Sequence, residues 1–210
     1  MSSPNDLWAI LVAAGRGVRF GSPKHAALLD DDPLWVHAER ALRSGGVDDV
    51  VVVGDVPDGV PGGERRTDSV RNGLDHVPPT VEFVLVHDAA RPLTTPELVA
   101  RVIDRLRAGD VAGVVPAVPV ADTVKYIAGY EVVETVDRSS LVAVQTPQGF
   151  RTEILRKAHA SARVDATDDA MLVEAIGERV VTVAGDPANL KVTYLDDLEL
   201  ARVLRAADRG

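Results

Sequence analysis

The chain has 210 residues, 23 basic against 32 acidic, with five histidines, no cysteine and a net charge of −9. That length suits one domain with a sizeable core, and 46% hydrophobic with 26% charged residues is an ordinary globular composition. The absence of cysteine excludes disulfide scaffolds, thiolate metal sites and cysteine nucleophiles, and the acidic balance argues against nucleic-acid binding, which needs clustered Lys and Arg.

Met1–Asp6 is polar without a basic n-region, and the apolar run Leu7–Ala14 is too short to cross a bilayer. The expectation is therefore a cytoplasmic protein with no membrane partner. Leu7–Val12 reads as a first strand ending in Ala13-Ala14-Gly15. A helix is expected from Asp32 as N-cap with Pro33 at its first position, carrying Leu34, Ala38, Ala41 and Leu42 inward to Gly45-Gly46. Asp49–Val53 reads as a buried strand, and Thr67–His76 as a short helix with Val70 and Leu74 inward.

A further strand, Val81–Val86, runs into His87–Pro92. Thr95-Pro96-Glu97 then supplies a cap, a first-turn proline and a first-turn acid for a helix closed by Gly109. After the strand Val111–Val118, the stretch Val120–Ser140 turns polar and β-rich with Gly129 as a hairpin tip. It reads as a protruding arm. Strand Val142–Val144, helix Thr152–Ser161, a helix capped by Thr167, strand Arg179–Val183 and a helix Leu195–Ala207 complete an alternating α/β pattern.

Unusual residues collect after strand C-termini, where open α/β sheets bind ligands. Gly15–Lys24 holds three glycines and the cations Arg16, Arg19 and Lys24 with no acid, a composition suited to a phosphate cradle. It is neither a P-loop nor a dinucleotide fingerprint, since Phe20 stands where the third glycine belongs and Asp55 comes too late for a ribose carboxylate. Gly62-Gly63-Glu64-Arg65-Arg66-Thr67-Asp68-Ser69 offers backbone groups for a base edge, with Arg66 for a phosphate and Ser69 for a base atom. Taken alone, the segment is read better as a glycine turn with Thr67 as N-cap. His87 is read as a packed or bonded histidine, and His25, His37, His76 and His159 lack metal-ligand spacing. Asp30-Asp31-Asp32 reads as a solvated loop, Asp122 and Asp137 as arm hydrogen-bonders, and Asp168-Asp169 as first-turn helix acids.

Taken in order, Ala13–Arg19 with Pro23-Lys24, Gly62–Val70, His87–Pro92, Asp122–Lys125, Thr135–Arg138, Gln145–Gln148, Thr167–Ala170 and Lys191–Thr193 resemble the 2-C-methyl-D-erythritol 4-phosphate cytidylyltransferase family, from about Leu7 to Ala207. The resemblance implies a Rossmann-like three-layer αβα fold with a mostly parallel sheet, a single nucleotidyltransferase domain over 1–210 and a dimerisation arm at about 120–140. It implies transfer of CMP from CTP to a sugar-alcohol phosphate, with Mg²⁺ held mainly by the CTP phosphates. By similarity Arg19, Lys24, Arg138 and Lys191 would be catalytic. Ala13, Ala14, Gly15, Gly17, Gly63, Glu64, Arg66, Ser69, Asp88 and Ala89 would hold CTP. Asp88, Arg91, Thr123, Arg138, Thr146, Thr167 and Lys191 would hold the acceptor, Thr123 and Arg138 reaching a neighbour's site in a homodimer.

The chain departs from the family pattern in having His25 after Pro23-Lys24, where Gln is common, and only eight residues between the second strand and Gly62, which predicts a trimmed sheet there. A ribitol 5-phosphate cytidylyltransferase is the alternative enzyme, and a silent nucleotide sensor the alternative from another class. The sensor would have lost cations that this chain keeps. A dehydrogenase fails on the fingerprint. Three of the four lysines (Lys24, Lys125 and Lys191) lie in the motif runs of a chain that otherwise uses 19 arginines.

Overall fold

The computed structural model describes residues 5–15, 27–162 and 166–207. A seven-stranded sheet forms its centre. Strands β1 (Leu7–Val12), β4 (Asp49–Val53) and β5 (Phe83–Asp88) pair in parallel, with β1 in the middle of the three. Strands β6 (Gly113–Pro119) and β11 (Val180–Ala184) form a second parallel pair. Between the two groups lies β10 (Gln148–Arg151), antiparallel to both β5 and β6. Strand β9 (Val142–Val144) adds an antiparallel partner to β6.

Helices cover both faces, as the period of two along the strands demands. Leu7, Ala9, Leu11 and Leu85 pack with α1 (Leu34–Ser44) and α3 (Pro96–Arg107) through Ala38, Leu42, Val99, Val102 and Leu106. Ile10, Val53, Val84 and Val86 pack on the other face with α2 (Arg66–Leu74), α4 (Thr152–Ser161) and α5 (Asp169–Ala175). Full burial of each large aliphatic side chain stabilises these layers by roughly 1.5–3 kcal/mol. Helix α6 (Leu195–Ala207) packs Leu198 and Ala201 on Leu29 and Leu34. The result is the α/β architecture with a mostly parallel sheet expected from the sequence.

Four local expectations change. Asp32 and Pro33 do not open α1; they form β3 (Asp32–Pro33), paired with β2 (Leu28–Leu29), and Pro33 takes the N-cap position. The Asp32 carboxylate is drawn instead to Arg40. Helix α2 begins one residue early with Arg65 at the N-cap, so Thr67 is inside the helix and buried. Helix α5 is capped by Asp168, which accepts from Met171 N–H, not by Thr167, which is exposed. Strand β10 was not legible at all. Where the short connection was expected to trim the sheet, β4 ends the named strands and only Val60 bridges to Val53.

Thr95 caps α3 as read, accepting from Leu98 N–H at 3.2 Å. Strands β7 (Lys125–Ala128) and β8 (Glu131–Thr135) pair only with each other, turning at Gly129 with φ +61°. Among the described residues, no helix is long and apolar enough to cross a membrane.

Candidate active site

The carboxyl ends of β1 and β5 lie side by side, because Val12 is in register with Asp88 and Ala89 N–H donates to Val12 O at 3.0 Å. Ala13, Ala14 and Gly15 therefore leave the sheet beside Asp88 and Ala89. The glycine pair approaches the same turn from α2. A Cβ on Gly62 would stand 2.3 Å from Ala14 Cβ, and one on Gly63 would stand 2.3 Å from Asp68 Cβ. Only glycine allows this contact. Ser69, buried, accepts from Gly63 N–H at 3.0 Å and donates to Arg65 O, so its hydroxyl braces the glycine loop. Glu64 is exposed.

Asp88 ends β5 and divides its two oxygens between two cations. Oδ2 accepts from Lys191 Nζ at 2.6 Å and Oδ1 from Arg66 Nε at 3.1 Å. Burial alone would push this carboxyl up, but Arg66 and Lys191 outweigh it and hold Asp88 far below the usual carboxylate range. Lys191 is the open end of the array, its side chain 43% exposed against 10% for Asp88. Arg66, read from sequence as a phosphate contact, is instead engaged by Asp88 and by Asp169, whose Oδ2 accepts from Nη1 at 2.6 Å. Its Nη2 is buried without a partner among the described residues.

A buried polar ring supports Asp88 from below. Asp88 N–H donates to Thr146 Oγ1 at 3.1 Å, and Thr146 Oγ1 lies 2.8 Å from His87 Nδ1. On the other side of the imidazole, Nε2 lies 3.2 Å from Thr94 Oγ1, which donates to Asn189 Oδ1 at 2.7 Å. Asn189 Nδ2 closes the ring on Thr146 O at 2.9 Å. One tautomer satisfies every member. Thr94 directs its single hydrogen to the nearer Asn189 Oδ1, with Arg91 O at 3.2 Å as a second acceptor, so His87 donates from Nε2 and accepts at Nδ1 from Thr146. Burial pushes His87 down to about 4, which keeps it in that neutral form. His87 is thus a bonded core histidine, as read, and Thr146, expected at the acceptor, is a brace for Asp88.

Arg91 is half-buried, donates from Nη1 to Asn189 O at 2.7 Å and has a buried Nε without a partner among the described residues. Thr123 and Arg138 are exposed near the hairpin, and Arg138 Nη1 donates to Val120 O at 3.2 Å. Arg19, Lys24, Gly17 and His25 lie outside the described residues. Sequence reading missed three buried groups: Asp169, taken as a dipole acid; His159, taken as scattered; and Asn189, for which nothing in the sequence signals a role. For Asp169 the signal was present but ambiguous, since one of two adjacent first-turn acids can cap while the next points inward.

No three His, Asp or Glu side chains converge as a metal cage among the described residues. A Mg²⁺ ion carried by nucleotide phosphates would need no such cage, and both oxygens of Asp88, the carboxylate at the strand ends, already accept from Lys191 and Arg66.

The model of the 2-C-methyl-D-erythritol 4-phosphate cytidylyltransferase family matches residues 7–206. The enzyme of that name from Rhodococcus jostii is 46% identical over 215 residues, covering 93% of each chain. Its counterpart from Nocardia farcinica is 48% identical, covering 93% of this chain and 92% of its own. Among solved structures, the enzyme from Thermus thermophilus superposes with a TM-score of 0.80 at 34% identity, covering 94% of this chain and 98% of its own.

Proposed function

The chain belongs to the 2-C-methyl-D-erythritol 4-phosphate cytidylyltransferase family, and from that premise we propose that it transfers CMP from CTP to 2-C-methyl-D-erythritol 4-phosphate in isoprenoid precursor synthesis. Pyrophosphate is the second product. The observation that carries this reading to particular residues is the Lys191–Asp88–Arg66 array at the carboxyl ends of β1 and β5, beside a glycine-lined turn.

An oxygen of the acceptor phosphate attacks the α-phosphorus, the bond to the bridging oxygen breaks, and pyrophosphate leaves. The nucleophile has a second pKa of about 6, so it is already largely dianionic at pH 7 and needs no general base. The task is to bring a dianion to a polyanion and to spread charge in the transition state, by positioning and fixed cations. Arg19 and Lys24 stabilise charge at the α-phosphate, while Lys191 and Arg138 orient the acceptor phosphate. Ala13, Ala14, Gly15, Gly17, Gly63, Glu64, Ser69 and Ala89 shape the CTP pocket. Asp88 serves hydroxyls of ribose and acceptor, with Arg91, Thr123, Thr146 and Thr167 completing the acceptor side; Arg66 acts through Asp88, which Thr146 also braces. Mg²⁺ bound with CTP supplies charge neutralisation at the phosphates.

The chain acts as a single domain that pairs into a homodimer through the β7–β8 hairpin. Tyr126, Ile127, Tyr130, Val132, Val133 and Val142 are all exposed there, an apolar surface of the kind that marks an interface. Its compartment is the cytoplasm, where CTP is available. The test is pyrophosphate release with Mg²⁺ across four nucleoside triphosphates, each offered methylerythritol phosphate or ribitol phosphate. Release with CTP and methylerythritol phosphate is the expected result. Release with ribitol phosphate alone overturns the acceptor, and no release with any pair overturns the enzyme.

A further inference from the structure

Behind the cations at the strand ends lies a second, buried row of charge. Asp169 is fully buried and accepts from Arg66 Nη1 at 2.6 Å and from His159 Nε2 at 2.9 Å. Burial pushes its carboxyl up, but the bond from His159 and the nearby Arg66 outweigh that and hold it ionised. An ionised carboxylate only accepts, so His159 Nε2 carries the hydrogen. His159 is itself buried on α4, and its Nδ1 has no partner among the described residues. The bond to Asp169 is therefore its one ring contact there.

The start of α5 is fixed independently. Asp168 Oδ1 accepts from Met171 N–H at 3.0 Å, and Asp168 Oδ2 accepts from Gln148 Nε2 at 2.9 Å. Gln148 Oε1 in turn accepts from Ala170 N–H at 3.3 Å. Strand β10 thus sets where Asp169 stands, and Asp169 sets where Arg66 stands. An alternating chain, His159, Asp169, Arg66, Asp88, Lys191, runs from the interior to the exposed ammonium.

This order has a consequence for Lys191. The same ammonium that would meet the acceptor phosphate is neutralised by Asp88 Oδ2. When Lys191 turns to a phosphate, Asp88 keeps its place only if Oδ1 is held by a cation that cannot follow. Arg66 is such a cation, because its other edge is bonded to a buried carboxylate. We propose that Asp169 and His159 are positioning residues of the transferase: they pin Arg66 on Asp88, so that Lys191 can pass from Asp88 to the acceptor phosphate without dragging the carboxylate along. The proposal rests on the function argued above and adds two side chains to it, neither of which touches a substrate.

A buried ion pair can also be merely structural, so the test preserves packing while changing one hydrogen. His159→Gln keeps an amide donor near the position of Nε2, and His159→Leu removes it at similar size. Pyrophosphate release is measured against acceptor concentration and against CTP concentration, with CTP dissociation and the thermal midpoint determined for each protein. The expected result is that His159→Gln retains turnover within about twofold. His159→Leu loses on the order of tenfold in kcat/KM for the acceptor phosphate, the scale of small misplacements of reacting groups, with a smaller change in CTP dissociation because Asp88 also serves the ribose. Equal activity of the two variants overturns the proposal, as does a loss that falls on CTP binding alone. If His159→Leu does not fold, Asp169→Asn decides the matter by the same split, and an Asp169→Asn protein with unchanged acceptor kinetics overturns it. An inactive parent protein would instead overturn the transferase reading itself.

Discussion

Around Asp88 the charged side chains are tied to distant parts of the chain: Arg66 to α5, Lys191 to β5, and Asp88 itself to the loop before β10. Between Lys125 and Thr135 the arrangement is the reverse. The two hairpin strands bond to each other alone, and Tyr126, Ile127, Val132 and Val133 are each more than half exposed. One region carries polar groups that the fold has satisfied, the other apolar groups that it has not. An isolated two-stranded hairpin is marginal in water, so in the proposed homodimer the hairpin is where a partner would add stability. The two candidate acceptor groups Arg138 and Thr123 belong to the second region, while Lys191 belongs to the first.

The comparison breaks most visibly in a mixing experiment. Lys191→Ala should lower turnover on the order of a hundredfold or more, since removing one preorganised donor costs roughly 3–4 kcal/mol, without unfolding the protein. Arg138→Ala should do likewise. If the hairpin serves a neighbour's site, exchanging subunits of the two inactive proteins in equal amounts restores about a quarter of the parent activity, because half the dimers hold one intact site. No recovery would mean that Arg138 serves its own chain.

A smaller effect separates the interior of the sheet from the hairpin. A Cβ on Gly149 would stand 2.9 Å from Val102 and 3.0 Å from Leu85, whereas one on Gly129 would meet nothing within 4 Å. Gly149→Ala should therefore cost about 1–3 kcal/mol in denaturant unfolding through overpacking. Gly129→Asn should cost no more than about 0.5 kcal/mol, because Asn tolerates the left-handed backbone at a surface site. Equal costs would erase the distinction between the two regions.

The smallest effect is a slope with pH. His87 titrates near 6.5 when unfolded and is pushed down to about 4 when folded, so between those values the unfolded chain binds more protons. Stability should then fall as pH drops through that window, and Asp88 and Asp169, also depressed, extend the loss to lower pH. Thermal midpoints at pH 7, 6 and 5 measure the slope, and an imidazole resonance of His87 that stays neutral at pH 5 confirms its source. A flat profile would mean that the ring around Asp88 is not held by a neutral histidine.

Much of this molecule could be read from residue order. Thr95-Pro96-Glu97 announces α3 because capping, a fixed proline φ and a first-turn acid act within one turn of chain. Thr152–Ser161, Leu195–Ala207 and the Gly129 turn were legible for the same local reason. Strand β10 was not, because Gln148-Gly149-Phe150-Arg151 has too few residues to show a period, and its place between β5 and β6 comes from pairing on both sides. Asp32 and Thr167 look like caps in isolation, and each lost that role to a competing partner or neighbour: Arg40 takes the first, and Asp168 replaces the second.

Residue order alone carries the α/β alternation, the glycine-lined turns after β1 and before α2, and the set of motif runs that defines the family. Those properties reside in spacing along the chain. Which charges meet depends on the packed layers: that Asp88 is shared by Lys191 and Arg66, that Asp169 and His159 stand behind them, and that His87 is neutral within a closed ring. These contacts join residues as far as 103 positions apart. Their strength comes from removing water around groups that only the assembled layers bring together, and no local pattern encodes that removal.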